Sequence, residues 1–443
     1  MWKIVIASTG CFAIASVVVA AGLLRAAEPD AISGATMREG EMTEQGSALR
    51  IMKAVQAHAA ANGNDRVPVF SPWEVLLADG DPTTFAPSRV LPPPGLVSAS
   101  SEIFDVSMLQ AEGYPVVTWT VNDPARMADL MRLGVDGIIS DRPDLLRSAA
   151  ERFDPSLIGP DGLIDIDRLD IQGHRGARDL RPENTLPAME AGLDHLVTTL
   201  ETDTGVTADG VSVLSHDPYL MAGKCRRANG ASYDESDEVL IKNVTVRELQ
   251  SDFVCDGLVR DDQQANDLDL SPAAVAFADG AGLPHPYAVP TLAQLFDFVA
   301  FYADYYRSGA GASHDDAKRR WKNASRVRFN IETKLNPRGD RDEKGIVFAD
   351  RTAGAQAFVN ALAGTVSARG LQDRADIQSF DFRTLLLTHE QHPSIRTIFL
   401  FGDFPKIGDV GDGTNLQDEN GENTPWLAGM FWPYRATSSG KSE

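Results

Sequence analysis

The chain has 443 residues, a formal charge of −22 at pH 7 and 43% hydrophobic residues, an ordinary fraction for a globular protein with a full core. The length admits one large domain or two to three ordinary ones. So acidic a surface repels a duplex and excludes nucleic acid as a general partner; a small anion remains admissible where Arg, Lys or metal charge reverses the field locally.

In chain order, Met1-Trp2-Lys3 precede an uncharged run from Ile4 to Leu24. A basic start and an apolar stretch predict an export signal over residues 1–27. The same run is long enough to stay as a membrane anchor, for which about 20 apolar residues suffice. Val19-Ala20-Ala21 and Ala26-Ala27 are weak cleavage sites, and Cys11 sits mid-run, where a lipid-modified cysteine does not belong. The expectation is an exported protein, periplasmic or secreted, touching a membrane only through an uncleaved N-terminal segment. Cys225 and Cys255 can pair in such a compartment, or remain two free thiols. No Cys/His group has zinc-site spacing.

Residues 28–153 form an N-terminal segment. Leu49, Met52, Val55 and Ala59 recur at helical spacing within 44–61. Pro92-Pro93-Pro94 breaks the chain. A helix end over Val106 to Glu112, a strand Pro115 to Val121, a helix Ala125 to Leu133, a strand Ile138 to Ser140 and a helix from Asp144 to Phe153 follow. Short loops in a β-α-β-α run imply parallel strands. Residues 154–169 read as a connector. Residues 170–443 carry six predicted strands: Asp170 to His174, Thr198 to Asp203, Val211 to His216, Arg326 to Lys334, Ile377 to Phe380 and Thr397 to Phe401. Helices are predicted at Leu186 to Asp194, Leu292 to Tyr306, Ala355 to Ala368 and Phe382 to Glu390. Six strands and the two before them make eight, the count of a closed (β/α)8 TIM barrel in the α/β class, with reactive groups at the strand C-termini. Residues 219–289, rich in Asp, Asn and Gly, interrupt the rhythm after the third of the six strands and are expected to form a cap-like insertion over the mouth. Gly402 to Gly421 is acidic and Gly-rich: a solvated loop, or a calcium loop without EF-hand spacing.

Chemistry collects at the strand ends. Residues two apart on a strand share a face, so Glu201 and Asp203 point one way, as do Glu332 and Lys334. In Arg328 to Lys334 the polar face is expected inside the barrel and the apolar one toward the helices. Buried carboxylates repel unless a cation offsets them, so Glu201, Asp203 and Glu332 suit a hard divalent ion such as Ca²⁺ or Mg²⁺. His174 and His216 end two strands, and a pair of imidazoles can supply one acid and one base near neutrality. Arg175 and Lys334 would hold phosphoryl oxygens. The other histidines (His58, His195, His285, His314, His389 and His392) read as structural.

His174-Arg175-Gly176 with Glu183-Asn184-Thr185, then Glu201-x-Asp203, His216-Asp217 and Glu332-x-Lys334, resembles the glycerophosphodiester phosphodiesterase family in both residues and order. Val289 to Leu292, Gln378 to Phe380, Trp119 to Asp123 and Gly134 to Pro143 resemble it too. The resemblance implies a TIM barrel with a divalent metal and hydrolysis of small-molecule glycerophosphodiesters to glycerol phosphate and an alcohol, through a cyclic phosphate opened by water. It implies His174 and His216 as the acid/base pair; Glu201, Asp203 and Glu332 as metal ligands; Arg175 and Lys334 on the phosphate; and Trp119 as a cleft wall. The WTVND and GVDGIISDRP stretches normally come last, as strands seven and eight, yet here they precede HRG. The expectation is a circular permutation cut between strands six and seven; the rival is a relic of an upstream copy. A phospholipase D-like activity on lysophospholipid or sphingomyelin, and a non-catalytic binding protein on the same barrel, are the alternatives. Head-group alcohol and oligomeric state leave no signature.

Overall fold

The computed structural model describes residues 44–74, 77, 105–234, 236–260, 263–335 and 347–401. The expected export segment, Cys11, Pro92 to Pro94 and Gly402 to Gly421 lie outside the described residues.

Eight parallel strands make the ring. In chain order they are β1 (Val69–Pro72), β2 (Val117–Thr118), β3 (Gly137–Ser140), β4 (Asp170–Gly173), β5 (Thr199–Val206), β9 (Arg328–Thr333), β10 (Ala375–Ser379) and β11 (Arg396–Phe401). Among the described residues three short strands stand outside it: β6 (Ser212–Leu214), β7 (Arg226–Arg227) and β8 (Phe253–Val254). Around the ring the order is β1, β2, β3, β4, β5, β9, β10, β11, and β11 pairs in parallel with β1. The seam between β1 and β2 is thin, made by parallel bridges from Phe70 to Val116 and from Trp73 to Trp119. Helices fill the connections, among them Pro124–Leu133, Pro143–Phe153, Leu186–Asp194, Leu292–Arg307, Ala355–Ala368 and Phe382–Gln391. This is a (β/α)8 TIM barrel.

Local chemistry sets the boundaries. Asp123, Thr185 and Thr291 each accept a backbone N–H at the first turn of the helix that follows, and Thr291 with Gln294 makes a reciprocal capping box. Gly134 ends its helix in the left-handed conformation at φ 81°. In β9, Phe329 and Ile331 join the core shared with the helices, where Phe329 meets Phe296 edge-on at 4.8 Å. Asn330 faces inward and donates to Gln172 and Gln378 at 2.9 and 3.0 Å. The expected division, polar inside and apolar outside, holds here. A small apolar cluster of Val69, Val117, Ile139 and Ile398 comes from β1, β2, β3 and β11.

Two expectations about the strands need correction. The predicted strand Val211 to His216 is not in the ring. Its core, β6, pairs antiparallel with the far half of β5, Leu214 opposite Thr204. The turn between them, with Gly210 at φ 76°, is too short for the crossover that parallel neighbours require. The eighth ring strand is instead β1, so the N-terminal segment supplies three ring strands and the rest supplies five. β1 is four residues ending in proline, a weak signal beside a Pro-rich stretch. The insertion follows the β5–β6 hairpin. It holds its own apolar cluster, the helices Val246–Asp252 and Pro272–Ala281, and a disulfide between Cys225 and Cys255.

Candidate active site

The polar groups gather where β2 to β5, β9 and β10 end. β4 runs into a loop in which Arg175 and Gly176 are both left-handed, at φ 51° and 86°. Only glycine fits the second position, because a Cβ there would stand 2.5 Å from the Ala188 carbonyl carbon. This turn aims the Arg175 amide at Glu201 Oε2, 2.8 Å away. The Arg175 guanidinium lies between carboxylates, with Nη1 2.8 Å from Glu183 and Nε 2.9 Å from Asp203. Burial opposes its charge, but Asp203, Glu183 and Glu201 together hold it above the ordinary arginine range.

Glu201, Asp203 and Glu332 converge: one oxygen of each lies within 4.8 Å of the others, and all three residues are buried. β5 and β9 pair with Asp203 directly beside Glu332, which brings them together. Burial raises Glu201 well above the usual carboxyl range, and the charges of Asp203 and Glu332 add to it. Glu332 is pushed up to about 7, chiefly by burial, with Lys334 pulling the other way at 2.9 Å. Asp203 is also opposed by burial, yet Arg175, His216 and Lys334 bring it well below its usual value. Asn184, left-handed at φ 56°, donates to Asp203 Oδ2 at 2.9 Å, and Gln378 donates to Glu201 Oε1 at 2.8 Å. Asp203 Oδ1 is buried and accepts no hydrogen bond among the described residues. Hard oxygen donors, mutual repulsion and an orphaned buried oxygen fit a divalent cation.

His174 follows β4 and His216 follows β6. His174 Nε2 is 3.9 Å from Glu201, and its Nδ1 is 2.5 Å from Asp141 Oδ1. Asp141 resists burial because His174, Asn122 and Arg178 hold its carboxyl well below the usual range. His216 Nδ1 is 3.1 Å from Asp217 Oδ1. Burial, then the charges of Lys334 and Arg175, push His216 down to about 4, so it is neutral at pH 7. Beside it opens a cleft walled by Glu183 and Asn184 from the barrel and by Met221, Lys224 and Val259 from the insertion. Trp119, at the end of β2, packs edge-on against Phe380 at 5.4 Å, and Lys334 Nζ lies 5.9 Å over the same Phe380 ring.

All eight residues named from sequence therefore sit on one barrel: His174, Arg175 and Lys334 lie against the three acids, His216 acts on Asp203 through charge, and Trp119 is joined to Lys334 through Phe380. Sequence reasoning missed the partners. Asp141 lies in the GVDGIISDRP stretch, Asp217 beside its histidine, Glu183 and Asn184 in the ENT stretch and Gln378 in QSF; each stretch was singled out without a role for these side chains. Lys224 and Arg260, from the insertion, carry no local signal.

A model of the glycerophosphoryl diester phosphodiesterase family matches residues 49–145 and 174–410. A glycerophosphoinositol inositolphosphodiesterase of Homo sapiens is 48% identical over 50 residues, 11% of this chain and 9% of that one. A crystal structure from Silicibacter pomeroyi assigned to the glycerophosphoryl diester phosphodiesterases is 24% identical, covers 53% of this chain and 65% of its own, and superposes with a TM-score of 0.34. A phosphodiesterase of Oleispira antarctica, solved with the product sn-glycerol-3-phosphate, is 16% identical over 54% of this chain and 68% of its own, with a TM-score of 0.32. The chain thus spans under a tenth of the human relative and just under two thirds of the Silicibacter one.

Proposed function

The chain belongs to the glycerophosphoryl diester phosphodiesterase family, and from that premise we propose that it hydrolyses glycerophosphodiesters to glycerol phosphate and an alcohol, using His174 and His216 for proton transfer. The observation that carries the reading is the meeting, at one barrel end, of two carboxylate-bound imidazoles, two cations and three buried acids.

Glu201, Asp203 and Glu332 would hold a divalent cation, Ca²⁺ or Mg²⁺, which when bound supplies Lewis acidity and charge neutralisation. Arg175 and Lys334 hold the phosphoryl oxygens and spread the charge that develops on them. One imidazole takes the proton from the glycerol hydroxyl as its oxygen attacks phosphorus; the other gives a proton to the departing alcohol oxygen as the P–O bond breaks. Water then opens the cyclic phosphate, the two imidazoles exchanging roles, and glycerol phosphate leaves. Trp119 and Phe380 wall the apolar side of the glycerol site.

We also read the chain as a circular permutation of the family barrel. β11 and β1 lie side by side in the ring although they stand at opposite ends of the described chain. Counted from β4, the cut falls between strands five and six, one strand earlier than the motifs imply. The three early ring strands complete one barrel, which favours permutation over a relic copy. The Cys225–Cys255 disulfide supports an exported protein. The functional test is release of glycerol phosphate from glycerophosphocholine by purified protein, with cation and after exhaustive chelation. Cation-dependent turnover is expected, and full activity after chelation contradicts the metal role.

A further inference from the structure

Each imidazole is oriented by a carboxylate, and each carboxylate is shared with a cation from the same insertion. Lys224 Nζ is 2.5 Å from Asp217 Oδ2, while the other oxygen of Asp217 faces His216. Arg260 Nη2 is 2.9 Å from Asp141 Oδ2, while the other oxygen of Asp141 faces His174. With one oxygen on a cation and the other on the ring, each carboxylate is held toward its histidine, Asp141 with a further bond from Asn122 Nδ2 at 2.8 Å. Second bonds anchor the cations themselves: Lys224 reaches Glu183 at 2.7 Å and Arg260 reaches Asp179 at 2.9 Å.

The two cations are also joined through the backbone. Cys225, next to Lys224, is disulfide-bonded to Cys255. The Gly257 amide donates to the Lys224 carbonyl at 2.9 Å, and a Cβ on Gly257 would meet the Gly223 oxygen at 2.3 Å. Gln264 accepts from the Val259 and Arg260 amides at 2.9 and 3.3 Å and donates to the Arg178 and Arg181 carbonyls, at 2.8 and 3.1 Å. On the reading of His174 and His216 as the proton-transfer pair, we propose that the insertion is a clamp that positions both: Lys224 and Arg260 fix the carboxylates that aim them, and the disulfide holds the two arms in register. Lys224 and Arg260 are positioning residues, acting through Asp217 and Asp141. Both side chains are partly exposed, at 19% and 36%. The carboxylates they hold are largely buried, Asp141 and Glu183 most of all, so losing either cation costs stability as well as turnover, and rescue by the conservative variant separates the two.

The test is kcat and KM of Lys224→Met and Arg260→Met on glycerophosphocholine at saturating divalent cation, with melting temperatures, beside His174→Ala and His216→Ala. The clamp predicts that kcat falls about tenfold or more in each Met variant, since small misplacements of reacting groups are costly. KM should stay within about twofold, and Lys224→Arg should recover most of the loss in kcat. Cys225→Ser with Cys255→Ser should lower kcat in the same way. Wild-type kcat in both Met variants, a raised KM at unchanged kcat, or a lost kcat that follows a lowered melting temperature without rescue by arginine overturns the clamp. If the two His→Ala variants are then inactive, the proton-transfer reading survives; if they are active, that reading itself fails.

Discussion

Arg175 shows how far a single residue can be read from a chain. Its place after an apolar strand and before glycine marked it as a cation at a strand end. Its left-handed backbone, its amide on Glu201 and its guanidinium between Glu183 and Asp203 are three-dimensional facts with no local signature. The same holds for the histidines, which could be named, whereas Asp141 and Asp217 became partners only once β3 and the β5–β6 hairpin were placed. General acid–base catalysis contributes about 10²- to 10⁴-fold, so His174→Ala and His216→Ala should each lower kcat by at least about a hundredfold with unaltered circular dichroism. Near-normal turnover in either variant removes that residue from the proposed reaction. The acid cluster gives a second prediction with a readout apart from activity. A ligand that binds only the folded state stabilises it by about 2.7 kcal/mol at a hundred times its Kd. Mg²⁺ or Ca²⁺ should therefore raise the melting temperature of the wild type and not of Asp203→Asn; an equal rise in both places the cation elsewhere.

At the scale of elements, long periodic helices were legible to within a residue or two, because burial repeats along them. β1 was not, since four residues ending in proline give no period to detect. The β5–β6 hairpin was misread because alternation marks a strand but not its direction; the short Thr207 to Gly210 turn was the missed clue. β1 nevertheless closes the ring, and Phe70, fully buried, packs on Phe401 with ring centroids 4.4 Å apart. Phe70→Ala should destabilise the fold by about 3–5 kcal/mol, measured by urea unfolding; a loss under about 1 kcal/mol means the seam contributes little. The helix Glu44–Ala61 docks on Phe382–Gln391 through two buried histidines, whose Nδ1 atoms are 3.3 Å apart. Burial, then His58, pushes His389 down to about 3; burial lowers His58 against the pull of Glu390. His389 stays neutral in the fold while the unfolded chain gains a proton there below about pH 6.5. The contribution of His389 to stability should therefore fall as pH drops from 7 to 5, against the opposite contribution of the raised carboxyls Glu201 and Glu332, so the wild type should lose more stability over that range, or gain less, than His389→Gln in thermal melts; an identical pH dependence in the two shows that the pair contributes nothing to it.

For the whole molecule, the charge of −22 and the local site work against each other. The long-range field repels anions, and only short-range cations such as Arg175 and Lys334 reverse it. Salt screens the first over about 8 to 10 Å and the buried second much less. Raising ionic strength from low to physiological should therefore increase kcat/KM for anionic glycerophosphoglycerol more than for zwitterionic glycerophosphocholine; an equal response means the global charge does not reach the site. The order of pieces along the chain is likewise a whole-molecule property. Sequence pattern marked seven of the eight ring strands, and the eighth, which closes the ring, depended on pairing between residues some 330 positions apart, Val69 beside Ile398. The most direct measurement of the central claim is glycerol phosphate release from a panel of glycerophosphodiesters, by wild type and His216→Ala, with and without divalent cation. Cation-dependent release by the wild type and none by the variant is predicted. No release from any member by folded, cation-loaded wild type, or equal release by both proteins, would contradict it.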